Sequence, residues 1–156
     1  MSRDVGEIGL SVKRLQMRHH RTVNERLSPL GISIVQWDAL RHLHENPEAS
    51  LHDLAQLTFQ TDQSFGTLAT RMIDRGLIER VPGPGRAVRH RLTAKGEDLR
   101  EKAGRIVREM LIESFSALTG TELQKFGELL ARVLAGSRNE TQTRTGLEIR
   151  NRDCTR

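Results

Sequence analysis

Between residues 61 and 75 lies a group of side chains with a common chemistry. Thr61, Gln63, Ser64, Thr67 and Thr70 are short, uncharged and able to hydrogen-bond, and positive charge enters only at Arg71 and Arg75. Groups of that length let a helix come close to another surface and match donors and acceptors displayed on it. A few residues on, Arg86, Arg89 and Arg91 supply permanent cations whose planar heads suit phosphate. One set can discriminate; the other can attract.

Where the charge sits supports that division. The 156 residues carry 25 Lys and Arg against 20 Asp and Glu, a formal +5. Residues 71–95 hold seven of those cations and two acids, a surplus equal to that of the whole chain, while the first 60 residues balance at seven against seven. A local excess of this kind is an electrostatic footprint for a polyanion. Basic blocks also serve simply to solubilise, so charge alone leaves that reading open.

Other classes of function fall away. No stretch approaches about 18 consecutive apolar residues and Met1–Leu10 holds no hydrophobic run, so neither a membrane span nor a secretory signal is expected, and a cytoplasmic location follows. Cys154 is the single cysteine, which excludes an intrachain disulfide and a cysteine-rich metal site. His42 and His44 are two apart on a predicted helix and point to different faces, and the adjacent His19 and His20 cannot easily chelate one ion, so no metal is expected. Pro82–Gly85 lacks the lysine and helix of a phosphate loop, and no nucleophile, base and orienter stand together. No enzyme activity and no cofactor are expected.

The elements that must position these groups follow from periodicity. With 36% hydrophobic residues, four Phe, one Trp and no Tyr, the core is aliphatic and the chain reads as one mainly helical domain. Ile8, Val12, Leu15, His19, Val23 and Leu27 form a stripe on a helix over about 4–27, stopped by Ser28-Pro29-Leu30-Gly31. Ser33 caps a second helix with Trp37, Leu40 and Leu43, and Ser50 caps a short third with Leu54, Ala55 and Leu57. A fourth helix starts at Thr61 or Asp62 and buries Phe65, Leu68, Ala69, Met72 and Ile73, turning the discriminating residues outward. Extended Leu77–Val81, a Pro-Gly turn and alternating Arg86–Thr93 predict a hairpin with Val88, His90 and Leu92 inward and Arg89 and Arg91 outward. Helix pair plus basic hairpin is the outline of a winged helix-turn-helix.

Two further helices follow, one with Leu99, Ala103, Ile106, Met110, Leu111 and Phe115 in stripe, and one from Glu122 with Leu123, Phe126, Leu130, Val133 and Leu134. Their stripes and that of the first helix exceed what the central part can cover, so a homodimer is expected. Residues 1–136 thus form one domain, with dimerisation helices in 1–30 and 97–136, the winged-helix part in 31–96, and a polar tail from 137 to 156 expected to be loose.

The run Arg71-Met72-Ile73-Asp74-Arg75-Gly76-Leu77-Ile78-Glu79-Arg80, followed by Arg86 and by Leu92-Thr93-Ala94-Lys95-Gly96, resembles the MarR-type winged-helix regulators, and the element order matches over roughly 5–136. The resemblance implies a homodimeric repressor on a pseudo-palindromic double-stranded DNA operator, with each recognition helix in a major groove and each wing on the adjacent minor groove. It assigns Thr61, Gln63, Ser64, Thr67 and Thr70 to the helix contact. Arg86 falls to the minor groove, and Arg71, Arg89 and Arg91 to phosphates. The wing in this family often carries an acid two residues before its arginine, and here that place is Pro84. The resemblance also implies a small aromatic or phenolic effector, for which His20, Trp37 and Arg18 are candidates; Trp37 also reads as plain core. A winged-helix module that binds a protein instead of specific DNA is the alternative reading.

Overall fold

The computed structural model describes residues 4–142, with side chains through residue 136. In chain order it holds α1 (Val5–Leu27), a 3-10 turn (Ser28–Leu30), α2 (Ile34–Glu45), α3 (Leu51–Leu57), α4 (Asp62–Asp74), β1 (Ile78–Pro82), β2 (Val88–Leu92), α5 (Ala94–Ser114) and α6 (Gly120–Gln142). This is the mainly helical class with a small hairpin that the sequence predicts. The chain divides into two compact units, one up to Glu113 and one from Ser114.

Side-chain caps set the helix starts of the first unit. Asp4 accepts from Gly6 N, and Thr61 accepts from Ser64 N. Ser33 with Gln36, and Ser50 with Asp53, form reciprocal capping boxes. Each cap satisfies donors that the first turn leaves unpaired, worth about 1 kcal/mol. Helix α1 ends at Leu27, as the sequence predicts, but Ser28 keeps helical angles of φ −51° and ψ −42° and opens the 3-10 turn, in which Pro29 needs no N–H. The chain changes direction only at Gly31, at φ +65°.

The core of the first unit joins Val23 and Leu27 of α1, Leu40 and Leu43 of α2, Leu54 of α3, Phe65 and Met72 of α4, Leu77 and Ile78 of the hairpin, and Ala103, Val107 and Met110 of α5. Burying each of the larger side chains contributes roughly 1.5–3 kcal/mol. Val107 is a core residue that the predicted α5 stripe omits. The α1 stripe is only half used within the chain, since Ile8 and Val12 remain 50% and 54% exposed. Between α1 and α5, Arg26 Nη1 donates to Glu113 Oε1 at 3.0 Å, and between α2 and α5 His44 Nδ1 lies 3.2 Å from Glu97 Oε2.

In the second unit, α6 begins at Gly120 rather than Glu122. Thr119 N and Oγ1 both donate to Glu122 Oε2, at 2.8 and 2.9 Å, which draws the intervening residues into the first turn. The helix also runs on through Gly136 to Gln142. The Phe115 and Phe126 rings meet at 5.9 Å. Leu123, Leu129, Leu130, Val133 and Leu134 stay exposed. Most of the expected tail, residues 143–156 with Cys154, lies outside the described residues. Among the described residues no helix is long and apolar enough to cross a membrane.

Candidate nucleic-acid interface

Helix α4 is anchored by buried Phe65, Ala69 and Met72, which leaves Gln63, Ser64, Thr67, Thr70 and Arg71 on its exposed side. Their hydroxyls are not equally available. Thr61 Oγ1 accepts from Ser64 N at 3.1 Å and donates to Ser64 Oγ at 3.0 Å, so Thr61 holds the helix start. Thr67 Oγ1 donates to the Gln63 carbonyl at 3.1 Å and Thr70 Oγ1 to that of Gly66 at 3.0 Å, which leaves these threonines as acceptors only. The Gln63 amide makes no hydrogen bond among the described residues and keeps two donors and an acceptor in solvent.

The wing is an antiparallel pair in register from Ile78↔Leu92 to Pro82↔Val88. Gly83 N donates to Ala87 O at 2.8 Å and Ala87 N to Pro84 O at 3.1 Å, with Gly85 at φ +63°. Backbone bonds therefore shape the tip at the place where an acid is common in the resembling family. Arg86 stands exposed on that tip, without hydrogen bond or ion pair among the described residues, and Arg71 is equally free.

The other two arginines, Arg89 and Arg91, are less free. Arg91 Nε donates to Glu79 Oε1 at 2.6 Å across the ladder, since the register sets them opposite each other, so its charge is offset locally. Arg89 is half-buried, its stem lies beside Gly83, and its Nε has no hydrogen-bond partner among the described residues. Val88 is 50% exposed, which leaves His90 and Leu92 as the inward residues of β2. His90 is 3% exposed, and burial first, then Arg80, pushes its pKa below the ordinary histidine value.

Helix and wing are tied by residues whose role the sequence pattern conceals. Gly76 sits at φ +69° and closes α4: Gly76 N donates to Ile73 O and Leu77 N to Met72 O. Thr93 Oγ1 donates to Gly76 O at 2.6 Å and accepts from Gly96 N at 3.0 Å, joining that corner to the start of α5. Lys95 Nζ donates to the Arg75 carbonyl at 2.8 Å, a cation on a helix C-terminus. A Cβ at Gly96 would lie 1.9 Å from the Leu77 carbonyl oxygen, so only glycine fits. Arg75 Nη1 donates to Gln36 Oε1 of α2 at 3.4 Å.

At the other end of α4, His52 Nδ1 lies 2.9 Å from Asp62 Oδ1 and clasps α3 to α4. The hydrogen bond to Asp62 raises the His52 pKa above its ordinary value. Of the effector candidates, His20 and Trp37 line one cleft of about 360 Å³ with Gln16, Ile34, Val35, Asp38 and Thr58. Arg18 does not join them there; it lines a hollow along α1 with Arg14, Met17 and Arg21, which His20 also borders. Arg41 stacks 5.8 Å from the Trp37 ring centre and pairs with Asp38 at 2.7 Å, so a cation does stand beside the cleft. Among the described residues no three His, Cys, Asp or Glu side chains group to hold a metal.

Residues 30–87, from the 3-10 turn to the wing tip, match the MarR family model. Over those residues the chain is similar to the MarR family. It is 29% identical over 113 residues to the transcriptional repressor Rv2887 of Mycobacterium tuberculosis, covering 71% of this chain and 81% of that one. It is 25% identical over 119 residues to the transcriptional repressor IacR of Pseudomonas putida, covering 75% and 71%. Its fold is similar to that of an E. coli MarR cysteine-to-serine variant solved with operator DNA, at TM-score 0.74, 26% identity, and 85% and 99% coverage. Rv2887 in complex with salicylic acid is also similar, at TM-score 0.68, 26% identity, and 85% and 97% coverage. The stretch matched to the MarR family contains α4 and Arg86, whereas Arg89, Arg91 and the Thr93–Gly96 clasp lie beyond it.

Proposed function

We propose that this chain is a sequence-specific DNA-binding transcription regulator of the repressor type, acting in the cytoplasm as a homodimer. The observation that carries this reading is two chemistries set side by side: the Gln63 amide on the open face of α4, and Arg86 on a wing joined to the end of α4 through Thr93, both without a partner among the described residues. Gln63 pairs with a base edge in the major groove, with Ser64, Thr67 and Thr70 as further contacts and Thr61 as the residue that sets the helix start. Arg86 enters the narrow, electronegative minor groove. Arg71 and Arg89 take phosphates, which fix register and give salt dependence; Arg91 reaches one only by leaving Glu79. Rv2887 and IacR being repressors, and MarR having been solved with operator DNA, support the assignment.

The exposed apolar residues of α1 and α6 support a dimer, each being a surface that water alone does not stabilise. The cleft holding His20 and Trp37 has a volume suited to a small aromatic acid, and salicylic acid on Rv2887 supports that class of effector.

Mobility shift on the promoter beside the protein's own gene tests the reading. Tight binding that weakens steeply with salt, and that Gln63→Ala and Arg86→Ala each reduce, is the expected result. Sequence-indifferent or absent binding overturns it in favour of a protein-binding winged helix. Trp37, the single tryptophan, reports the effector directly: salicylate is expected to change its fluorescence and to release the DNA.

A further inference from the structure

Phe59, in the turn between α3 and α4, combines two features that folding alone disfavours. Its side chain is 97% exposed, the highest value among the exposed large hydrophobic residues. Its backbone lies at φ +55°, the single non-glycine residue with positive φ among the described residues. A bulky residue in the left-handed region is strained, and glycine is the usual occupant. The hydrogen bonds show why that conformation is required. Phe59 N donates to Gln56 O and Gln60 N to Ala55 O, closing α3 with the same pair of bonds that closes α4 at Gly76. The turn needs a left-handed residue, and here it holds a phenylalanine that packs against nothing.

We propose that Phe59 is a specificity-determining residue for DNA, making apolar contact with a thymine C5-methyl at the edge of the site read by α4. This rests on the proposed function. Phe59 lies two residues before the cap of α4, at the same end as Gln63, and the N-terminal residues of a recognition helix are those that approach base edges. Thr61, Gln63 and Ser64, which follow it, are uncharged and exposed, and the one carboxylate among them, Asp62, is held by His52. Among the features that mark the base pairs in the major groove, the thymine methyl is the apolar one. Backbone strain of this kind is retained at sites where function demands the side chain.

The test uses full-length protein and a duplex selected by the wild type from a random library. Phe59→Gly suits the left-handed conformation, so it is expected to fold with a melting temperature at or above that of the wild type. Its affinity is expected to fall about fourfold for each contacted methyl, with an unchanged salt slope because no phosphate contact is lost. Replacing thymines one at a time by deoxyuridine removes the methyl alone. One position is expected to weaken the wild type by a similar factor and to leave Phe59→Gly unaffected. If Phe59→Gly binds the selected duplex as tightly as the wild type, or if its loss adds to that of every deoxyuridine substitution, the contact is not to a thymine methyl and the proposal falls. Loss of repression in a transcription assay with unaltered DNA affinity also overturns it, and assigns Phe59 to a protein partner. If the wild type selects no sequence at all, it is the DNA-binding reading itself that fails.

Discussion

The two corners that bound α4 close with the same hydrogen bonds and are built in opposite ways. At the α4–β1 corner the left-handed residue is Gly76; Thr93 and Lys95 reach across to donate to the Gly76 and Arg75 carbonyls, and Gly96 N donates to Thr93. At the α3–α4 corner the left-handed residue is Phe59, exposed and without ties beyond its own turn. The first corner fixes where the wing stands relative to α4, which matters if both must meet one ligand surface at once. The second carries strain that a glycine would remove. The geometry common to both is a helix ending; the chemistry placed on it decides whether the corner serves rigidity or contact.

Substitutions at these corners break or sharpen that contrast. Gly96→Ala is expected to have the largest effect, because the new Cβ would meet backbone rather than a flexible side chain: a loss of about 3 kcal/mol in denaturant unfolding, with α5 or the wing displaced. Gly76→Ala meets nothing within 4 Å, so its cost is the backbone strain alone, roughly 1–2 kcal/mol by the same measurement. Thr93→Val keeps the shape and removes the hydroxyl, leaving Gly96 N–H and Gly76 O unpaired for a loss of about 1–2 kcal/mol.

A smaller effect is expected from His90. Its folded-state pKa is lowered, so below about 6.5 the unfolded chain takes up a proton that the buried ring resists. Its contribution is therefore present above that pH and declines as pH falls. His52 acts with the opposite sign, its raised pKa giving stability at low pH that is lost as pH rises. Comparing unfolding of the wild type with His90→Leu across this range isolates the first: the variant is expected to lose less stability on acidification. Phe59→Gly has the smallest expected effect and the reverse direction from Gly76→Ala. Relief of roughly 1–2 kcal/mol of strain is offset by about 0.5–1 kcal/mol of added unfolded-state entropy, for a small net stabilisation in thermal unfolding. A destabilised Phe59→Gly would end the contrast between the corners.

Much of the site was legible because it depends on local pattern. Gln63, Thr67 and Arg86 reach the surface by helical and hairpin periodicity alone. The partner of Arg91 and the partial burial of Arg89 were not legible, since register pairs Glu79 with Arg91 and the turn at Gly83 lies beside the Arg89 stem. Ser33 and Gln36 stand at capping-box spacing in the sequence, a signal that was there to be read. Phe59 gave none, because a phenylalanine after a short helix reads as core.

Local propensity and spacing thus determined the helices, their caps, the hairpin and the separation of uncharged reading groups from cations. These need only neighbours a few residues away. Tertiary structure decided which cations remain free, that Thr93, Lys95 and Gly96 clasp the end of α4, and that Phe59 stands in solvent in a strained turn. Those properties rest on groups distant in sequence meeting at hydrogen-bond or van der Waals distance, and no periodicity within one segment encodes what another segment brings to it.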